Sequence, residues 1–286
     1  MHIILDFDGT VTEQDTIGAL ASCAIGFHQQ DRGLDPSLAW AHILAEYAAD
    51  HSRHAALYQP KEPDRITLRQ EIDFLRSLRE VELRSLGRVH DSGLFAGLSP
   101  SELERAGRDA VRRGEVRVRK GFGDFVREAA RDRRHDISVV SVNWSTSFVR
   151  GVLSTAGVEL DIVANEVGGS EGGRILGPER RGGEILATCE DKLEAVKVLL
   201  GHGDQDQVAA TSAVYFGDSA TDLECLAEQK GIVIAEGNDG GLLKTLRRLQ
   251  IDIKHISAMP DGRAALAWAR DFDEVLRWDV FGLRGP

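Results

Sequence analysis

Two aspartates two residues apart, Asp6 and Asp8, lie in the segment Asp6-Phe7-Asp8-Gly9-Thr10, directly after the apolar run His2 to Leu5. On an extended chain, side chains two apart face the same side, so both carboxylates can address one pocket as the chain leaves a strand. That pair suits phosphoryl transfer: one carboxylate attacks phosphorus and the other handles the proton of the leaving or attacking oxygen. Gly9 permits a tight turn and close backbone approach. Backbone N–H groups near Phe7 and Asp8, with the Thr10 hydroxyl, are then free to position phosphate or hold the turn. Taken alone, an aspartate pair before a glycine is equally well a turn or a simple ion-binding loop, so partners must come from elsewhere in the chain.

Three distant segments offer them. Ser141 ends the apolar run through Val139 and Val140, with Asn143 just beyond; a hydroxyl there can donate to phosphate without adding negative charge, or merely cap the turn. Lys192 opens a helical segment with Leu193, Val196, Val198 and Leu199, and its charge can hold both a nucleophilic carboxylate and an arriving phosphate. Gly217-Asp218-Ser219-Ala220-Thr221-Asp222 follows another apolar strand. With Asp6 and the Asp8 backbone carbonyl, Asp218 would complete an oxygen-rich magnesium site, while Asp222 would bind through water or orient Lys192. The plain alternative for this last segment is an acidic helix cap.

The elements that must carry these groups alternate. Strands are expected at His2 to Phe7, Ile137 to Val142, Ala213 to Phe216 and Gly231 to Ala235, with helices between them and a final strand within Ile251 to Ile256. Leu160 to Val167 and Arg174 to Leu176 read as a hairpin around a glycine-rich loop, and Gly262 to Leu276 as a closing helix. Such alternation predicts an α/β fold with a parallel, doubly wound sheet and a ligand site beyond the strands' carboxyl ends. Between the first strand and the rest, Thr16 to Gln29, Ser37 to Asp50, Thr67 to Arg84 and Pro100 to Arg113 read as helices. A stretch that long is no ordinary crossover, so residues 16–117 are expected to form a mainly helical cap inserted into a core of residues 1–15 and 118–286.

The 286 residues, 42% hydrophobic and 28% charged, suffice for a core and an accessory unit without disulfides. A formal charge of −11 argues against a nucleic-acid-binding surface, although a metal ion and a few local donors can still hold a small phosphorylated ligand. Asp6 and Asp8 interrupt the only apolar segment near the start, so no secretory signal is expected, and no apolar run reaches the roughly 18 residues of a membrane span. Cys23, Cys189 and Cys225 lack metal-like spacing. The expectation is a cytoplasmic protein with free thiols; oligomeric state is not legible.

In order along the chain, Asp6-Phe7-Asp8-Gly9-Thr10, Ser141, Lys192 and Gly217 to Asp222 closely resemble the four motifs of the haloacid dehalogenase (HAD) superfamily, particularly its phosphoserine-phosphatase-like branch. The resemblance spans the core and includes a helical cap between the first two motifs. It implies a HAD-like sheet core, Asp6 as nucleophile, Asp8 as general acid and then base, and a magnesium apparatus containing Asp218 and Asp222. Asp15 falls where phosphoserine phosphatases carry an acidic residue near the substrate amine, and is equally placed to cap the helix beginning near Thr16. Ile162 to Glu166 is similar to their segment before a small hairpin, and methylthiopentulose-type sugar-phosphate phosphatases share the cap style. Ser219-Ala220-Thr221 departs from the glycine-alanine-asparagine usual in phosphoserine phosphatases, which turns the expectation away from serine phosphate.

The function expected is magnesium-dependent hydrolysis of a small-molecule phosphomonoester through an aspartyl-phosphate on Asp6, with Phe7, Asp8, Gly9, Thr10, Ser141, Asn143 and Lys192 around the phosphate. A phosphotransferase or mutase would share the first half-reaction, and a non-catalytic sensor of phosphorylated metabolites would share only the binding. His28, His42, His51 and His54 are too dispersed for a metal cluster.

Overall fold

The computed structural model describes residues 1–131, 135–169, 172–201, 213–259 and 266–278. The apolar run ahead of Asp6 forms β1 (His2–Leu5), which pairs in parallel with β2 (Asp136–Val140) on one side and β6 (Ala213–Gly217) on the other. Next to β2 lies β3 (Asp161–Val163); beyond β6 come β7 (Lys230–Ile234), β9 (Leu266–Ala269) and β8 (Lys254–His255). Among the described residues this is a seven-stranded parallel sheet of order β3-β2-β1-β6-β7-β9-β8.

Strands covered on both faces read as continuous apolar runs, and here alternate residues serve two cores. Ile3, Leu5, Val139, Val214 and Phe216 pack with α6 (Phe122–Ala129), α7 (Thr146–Ser154) and α11 (Phe272–Trp278). Ile4, Val140 and Tyr215 pack with α8 (Cys189–Leu199), α9 (Leu223–Glu228) and α10 (Gly241–Arg248). Each fully buried large apolar side chain contributes about 1.5–3 kcal/mol, so the central strands are fixed firmly before any polar group is considered. Phe125, Phe216 and Phe272 form a ring cluster with centroids 5.0–5.9 Å apart.

Between β1 and β2 run α1 (Ile17–Arg32), α2 (Ser37–Leu57), α3 (Leu68–Ser77), α4 (Arg79–Asp91) and α5 (Pro100–Arg112). The single helix expected over Thr67 to Arg84 is thus two. It starts as anticipated, with a Thr67–Gln70 capping box, but at Leu78 the backbone tightens: its N–H bonds the Leu75 carbonyl at 3.2 Å, and α4 begins at the next residue. The chain leaves for these helices and returns from them side by side. Thr12 bridges Val118, the Glu13 N–H donates to the Arg117 carbonyl at 2.9 Å, and the Arg119 N–H donates to the Val11 carbonyl at 2.8 Å. α5 then crosses α7 closely, because Gly107 and Gly151 present no side chain: a Cβ at either would sit 2.3 or 2.0 Å from a carbonyl oxygen of the other helix.

Two further expectations are corrected. Leu160 to Val167 is not one strand: β3 ends at Val163, and β4 (Glu166–Gly168) pairs antiparallel with β5 (Arg174–Leu176) in a separate hairpin. Asn165 causes the break, since its side chain bonds the carbonyls of Val142, Asn143 and Leu186 and accepts the Leu186 N–H. Ser170 and Glu171 of the expected loop lie outside the described residues. The closing helix expected at Gly262 to Leu276 is, from Leu266 to Ala269, the strand β9 in register with β7, and only Phe272–Trp278 is helical; residues 262–265 lie outside the described ones. Among the described residues no helix is long and apolar enough to cross a membrane.

Candidate active site

Register brings the polar groups to one edge. Leu5 is level with Val139 of β2 and Phe216 of β6, so the residues after all three strands emerge together. The Asp6 N–H still bonds the Phe216 carbonyl at 2.8 Å. The chain then turns over Phe7–Val11, with Gly9 at φ +76°. A Cβ on Gly9 would lie 2.2 Å from Asp218 Oδ2, so both the positive φ and the approach of Asp218 demand glycine here.

Asp6 is buried, and Lys192, fully buried in the first turn of α8, donates to its Oδ1 at 2.7 Å. The same ammonium donates to Asp222 Oδ1 at 2.6 Å and to the Thr221 hydroxyl at 3.3 Å. Burial opposes the lysine's charge, but the Asp222 and Asp6 carboxylates outweigh it and hold the ammonium protonated. Asp222 is saturated: besides Lys192 it accepts the Tyr215 hydroxyl at 2.7 Å and the N–H groups of Asp218 and Ser219 at 3.0 Å. It orients the lysine and the turn. Oxygens of Asp6, Asp218 and Asp222 come within 4.8 Å of one another. Burial, with Asp222 adding to it, raises the Asp6 carboxyl well above the ordinary range and Asp218 to about 7.

Asp8 faces the same space but is held separately. Its Oδ1 accepts the Thr16 N–H and hydroxyl at 2.8 and 2.6 Å, and its Oδ2 accepts Asn143 Nδ2 at 2.8 Å. Burial, reinforced by Asp15, pushes its carboxyl up to about 6 against these hydrogen bonds. The Thr10 hydroxyl donates to Asp218 Oδ1 at 3.0 Å, so it serves the carboxylate across the turn. Ser141 is fully buried, and its Oγ accepts the Asn143 N–H at 3.1 Å. Asp15 Oδ1 accepts the Ile17 N–H at 2.9 Å, a cap on α1.

In front of the aspartates lies a cavity of about 490 Å³. Asp6, Asp8, Gly9, Asn143, Lys192 and Asp218 form its floor, and Asp15 also reaches it. Phe7, Thr10, Ser141 and Asp222 do not line it; they stand directly behind residues that do.

The sequence model of the haloacid dehalogenase-like hydrolases matches residues 3–227. The chain belongs to that family. A CTO1 family protein of Schizosaccharomyces pombe is 27% identical over 239 residues, 79% of this chain and 78% of its own. Among solved structures, cytosolic 5′-nucleotidase IIIB bound to cytidine aligns over 99% of this chain and 84% of its own, with 14% identity and a TM-score of 0.53. A phosphoserine phosphohydrolase-like protein from Francisella tularensis subsp. tularensis SCHU S4 aligns over 96% of this chain and 98% of its own, with 15% identity and a TM-score of 0.50. These structures share the fold of this haloacid dehalogenase-like hydrolase.

The donor set of this family member suits a hard divalent cation. Asp6, Asp218 and Asp222 bring three carboxylates against one lysine, an excess of negative charge in a buried space, and every free ligand atom is oxygen. Asp6 and Asp218 are the direct candidates; Asp222, with both oxygens engaged, acts from behind them.

Sequence reasoning missed several residues. Arg119 is buried, has no carboxylate within ion-pair distance among the described residues, and donates to the carbonyls of Gly9, Thr10 and Thr12 at 2.6, 2.9 and 3.1 Å, clamping the turn that carries Asp8. Its position just past the returning chain was the available signal. On α2, Trp40, Ile43, Leu44 and Tyr47 form a stripe on the cavity wall; their three-to-four spacing was legible, although the faced partner was not.

Proposed function

We propose that this chain is a magnesium-dependent phosphomonoesterase that works through a phosphoryl group on Asp6. Residues 1–15 and 118–286 serve as the catalytic core and residues 16–117 as a cap that closes over a small phosphorylated metabolite. The observation that carries the reading is the Lys192 ammonium, 2.7 Å from Asp6 and 2.6 Å from Asp222, at the floor of a cavity that Asp8 and Asp218 also line. Few arrangements other than phosphate chemistry need a buried lysine, a nucleophile-sized carboxylate and surplus acid in one place.

In the first half-reaction an Asp6 carboxylate oxygen bonds to phosphorus while the phosphorus–oxygen bond to the alcohol breaks, and Asp8 gives its proton to the departing oxygen. In the second, water bonds to phosphorus, its proton passes to Asp8, and the phosphorus–Asp6 bond breaks to release inorganic phosphate. Lys192 fixes the rotation of Asp6 and offsets charge on the phosphoryl oxygens. Asn143 and Thr16 hold Asp8 at the distance where it serves both oxygens in turn. Asp6 and Asp218, with Asp222 behind them, would hold magnesium, which would supply further charge compensation for the phosphate.

The test is phosphate release from a panel of metabolite esters, with magnesium or with chelator, by wild type and by Asp6→Asn of matching circular dichroism. Magnesium-dependent release by wild type alone is expected. Undiminished turnover by Asp6→Asn would remove the nucleophile and with it the proposal.

A further inference from the structure

Away from its floor, the cavity has a wall that phosphate chemistry does not explain. The α2 stripe presents Trp40, Ile43, Leu44 and Tyr47, and the Trp144 ring meets Trp40 edge-on with centroids 6.1 Å apart, backed by Phe95 at 6.2 Å. Two carboxylates stand on the same wall. Asp15 accepts the Ile17 N–H at 2.9 Å, and Glu82 of α4 accepts the Tyr47 hydroxyl at 2.8 Å, its one hydrogen bond among the described residues.

Elsewhere this chain matches its buried carboxylates with arginine: Asp50 with Arg53, Arg84 and Arg88, Glu71 with Arg65 and Arg248, Asp191 with Arg79 and Arg181, Glu224 with Arg76. Half-buried Glu82 has no basic side chain within ion-pair distance among the described residues, and neither has Asp15, which stands exposed at the rim. Among the described residues, the one basic side chain lining the cavity is Lys192, already shared by Asp6 and Asp222. Burial raises the Glu82 carboxyl, so an acid is kept here at some cost to the folded state. Aromatic faces and unpaired carboxylates together recognise positive charge, whereas a carboxylate on the substrate would meet repulsion and find no cation.

Building on the phosphomonoesterase reading, we propose that the cavity selects esters whose alcohol part carries an organic cation, a quaternary or ring nitrogen, seated between Trp40, Tyr47 and Trp144 with Glu82 and Asp15 as its counter-charges. The matched probes are the phosphate ester of N-hydroxyethylpyridinium, its neutral isostere phenylethyl phosphate, and carboxyphenylethyl phosphate. Expected kcat/KM falls in that order, by on the order of tenfold between cation and neutral ester. Glu82→Gln, which can keep the Tyr47 hydrogen bond, is expected to lower that ratio mainly through KM of the cationic ester, and Asp15→Asn to lower it further.

A second readout needs no turnover. Metal-free protein titrated with N-hydroxyethylpyridinium should show saturable quenching of tryptophan emission, weakened in Glu82→Gln, with phenylethanol binding less tightly. Equal rates on all three esters, together with equal binding of the two alcohols, would overturn the cation preference while leaving the phosphatase reading intact. Discriminating binding of the alcohols with no phosphate released from any ester would do the reverse: the cation site stands and the phosphatase reading falls.

Discussion

Replacing Lys192 by methionine keeps most of the side chain's bulk and removes its charge. The ammonium sits fully buried, 2.7 Å from Asp6 Oδ1 and 2.6 Å from Asp222 Oδ1. Without it, Asp6 and Asp222 face each other and Asp218 with no other lysine or arginine within ion-pair distance among the described residues. Removing one partner of a buried ion pair costs about 3–5 kcal/mol, chiefly because the other charge is left stranded. At roughly 2–4 °C per kcal/mol for a chain of this size, Lys192→Met should melt on the order of 10 °C below the parent in chelator at neutral pH. The pH dependence has a definite sign. Burial already raises the Asp6 carboxyl, and losing the lysine raises it further; a raised carboxyl takes up its proton in the folded state first, so the deficit should shrink as pH falls. Melting curves across a pH series, with a double-mutant cycle to Asp222→Asn, measure both effects. A coupling of about 1–3 kcal/mol between the two sites is expected. A Lys192→Met protein that melts within about 2 °C of the parent at neutral pH would refute the charge-compensation argument.

Four further outcomes follow from the geometry. Gly9→Ala places a methyl group 2.2 Å from Asp218 Oδ2 at a φ of +76°; magnesium titration of activity should show a markedly weaker half-saturation. Arg119→Lys keeps the charge but cannot span the carbonyls of Gly9, Thr10 and Thr12, so kcat should fall about tenfold or more with little change in KM, and unfolding by denaturant should lose about 1–3 kcal/mol. Gly151→Ala drives a Cβ to 2.0 Å from the Glu104 carbonyl; denaturant titration should register an overpacking cost of about 1–3 kcal/mol. Glu82→Gln should melt at or above the wild type at neutral pH, because burial raises this carboxyl, and calorimetric scans should show the difference closing as the medium is acidified and the wild-type group is neutralised.

The strands nearest the chemistry were legible because each is an uninterrupted apolar run ending in a polar turn, and burial on both faces makes such a run hard to misread. Asp6, Asp8, Lys192, Asp218 and Asp222 stood out through residue type and order, and the fold brings them to one edge. What local pattern could not convey was pairing. Leu266 to Ala269, with four alanines in six residues from Ala264 to Ala269, carries helical propensity, yet it lies as a strand because β7 offers a parallel edge and Ala267 and Ala269 fit the buried face. The break at Leu78 was hidden by an apolar spacing that continues through it. Arg119 escaped notice for another reason: its partners are main-chain carbonyls more than a hundred positions away, and carbonyls leave no trace in residue identity.

The neck at Thr12 and Val118 joins the outgoing and returning chain in one short antiparallel contact. The stretch between those two points is held by more than this neck: Gly107 of α5 packs against α7, and Arg76, Arg79 and Glu71 pair with Glu224, Asp191 and Arg248 of the sheet's own helices. Exchanging those helices for another module would therefore have to keep or replace each of these contacts while the sheet edge holds its register. For the engineer the neck marks where to splice, with Arg119 retained on the sheet's side, provided the faces of α7, α8, α9 and α10 left uncovered are given new partners.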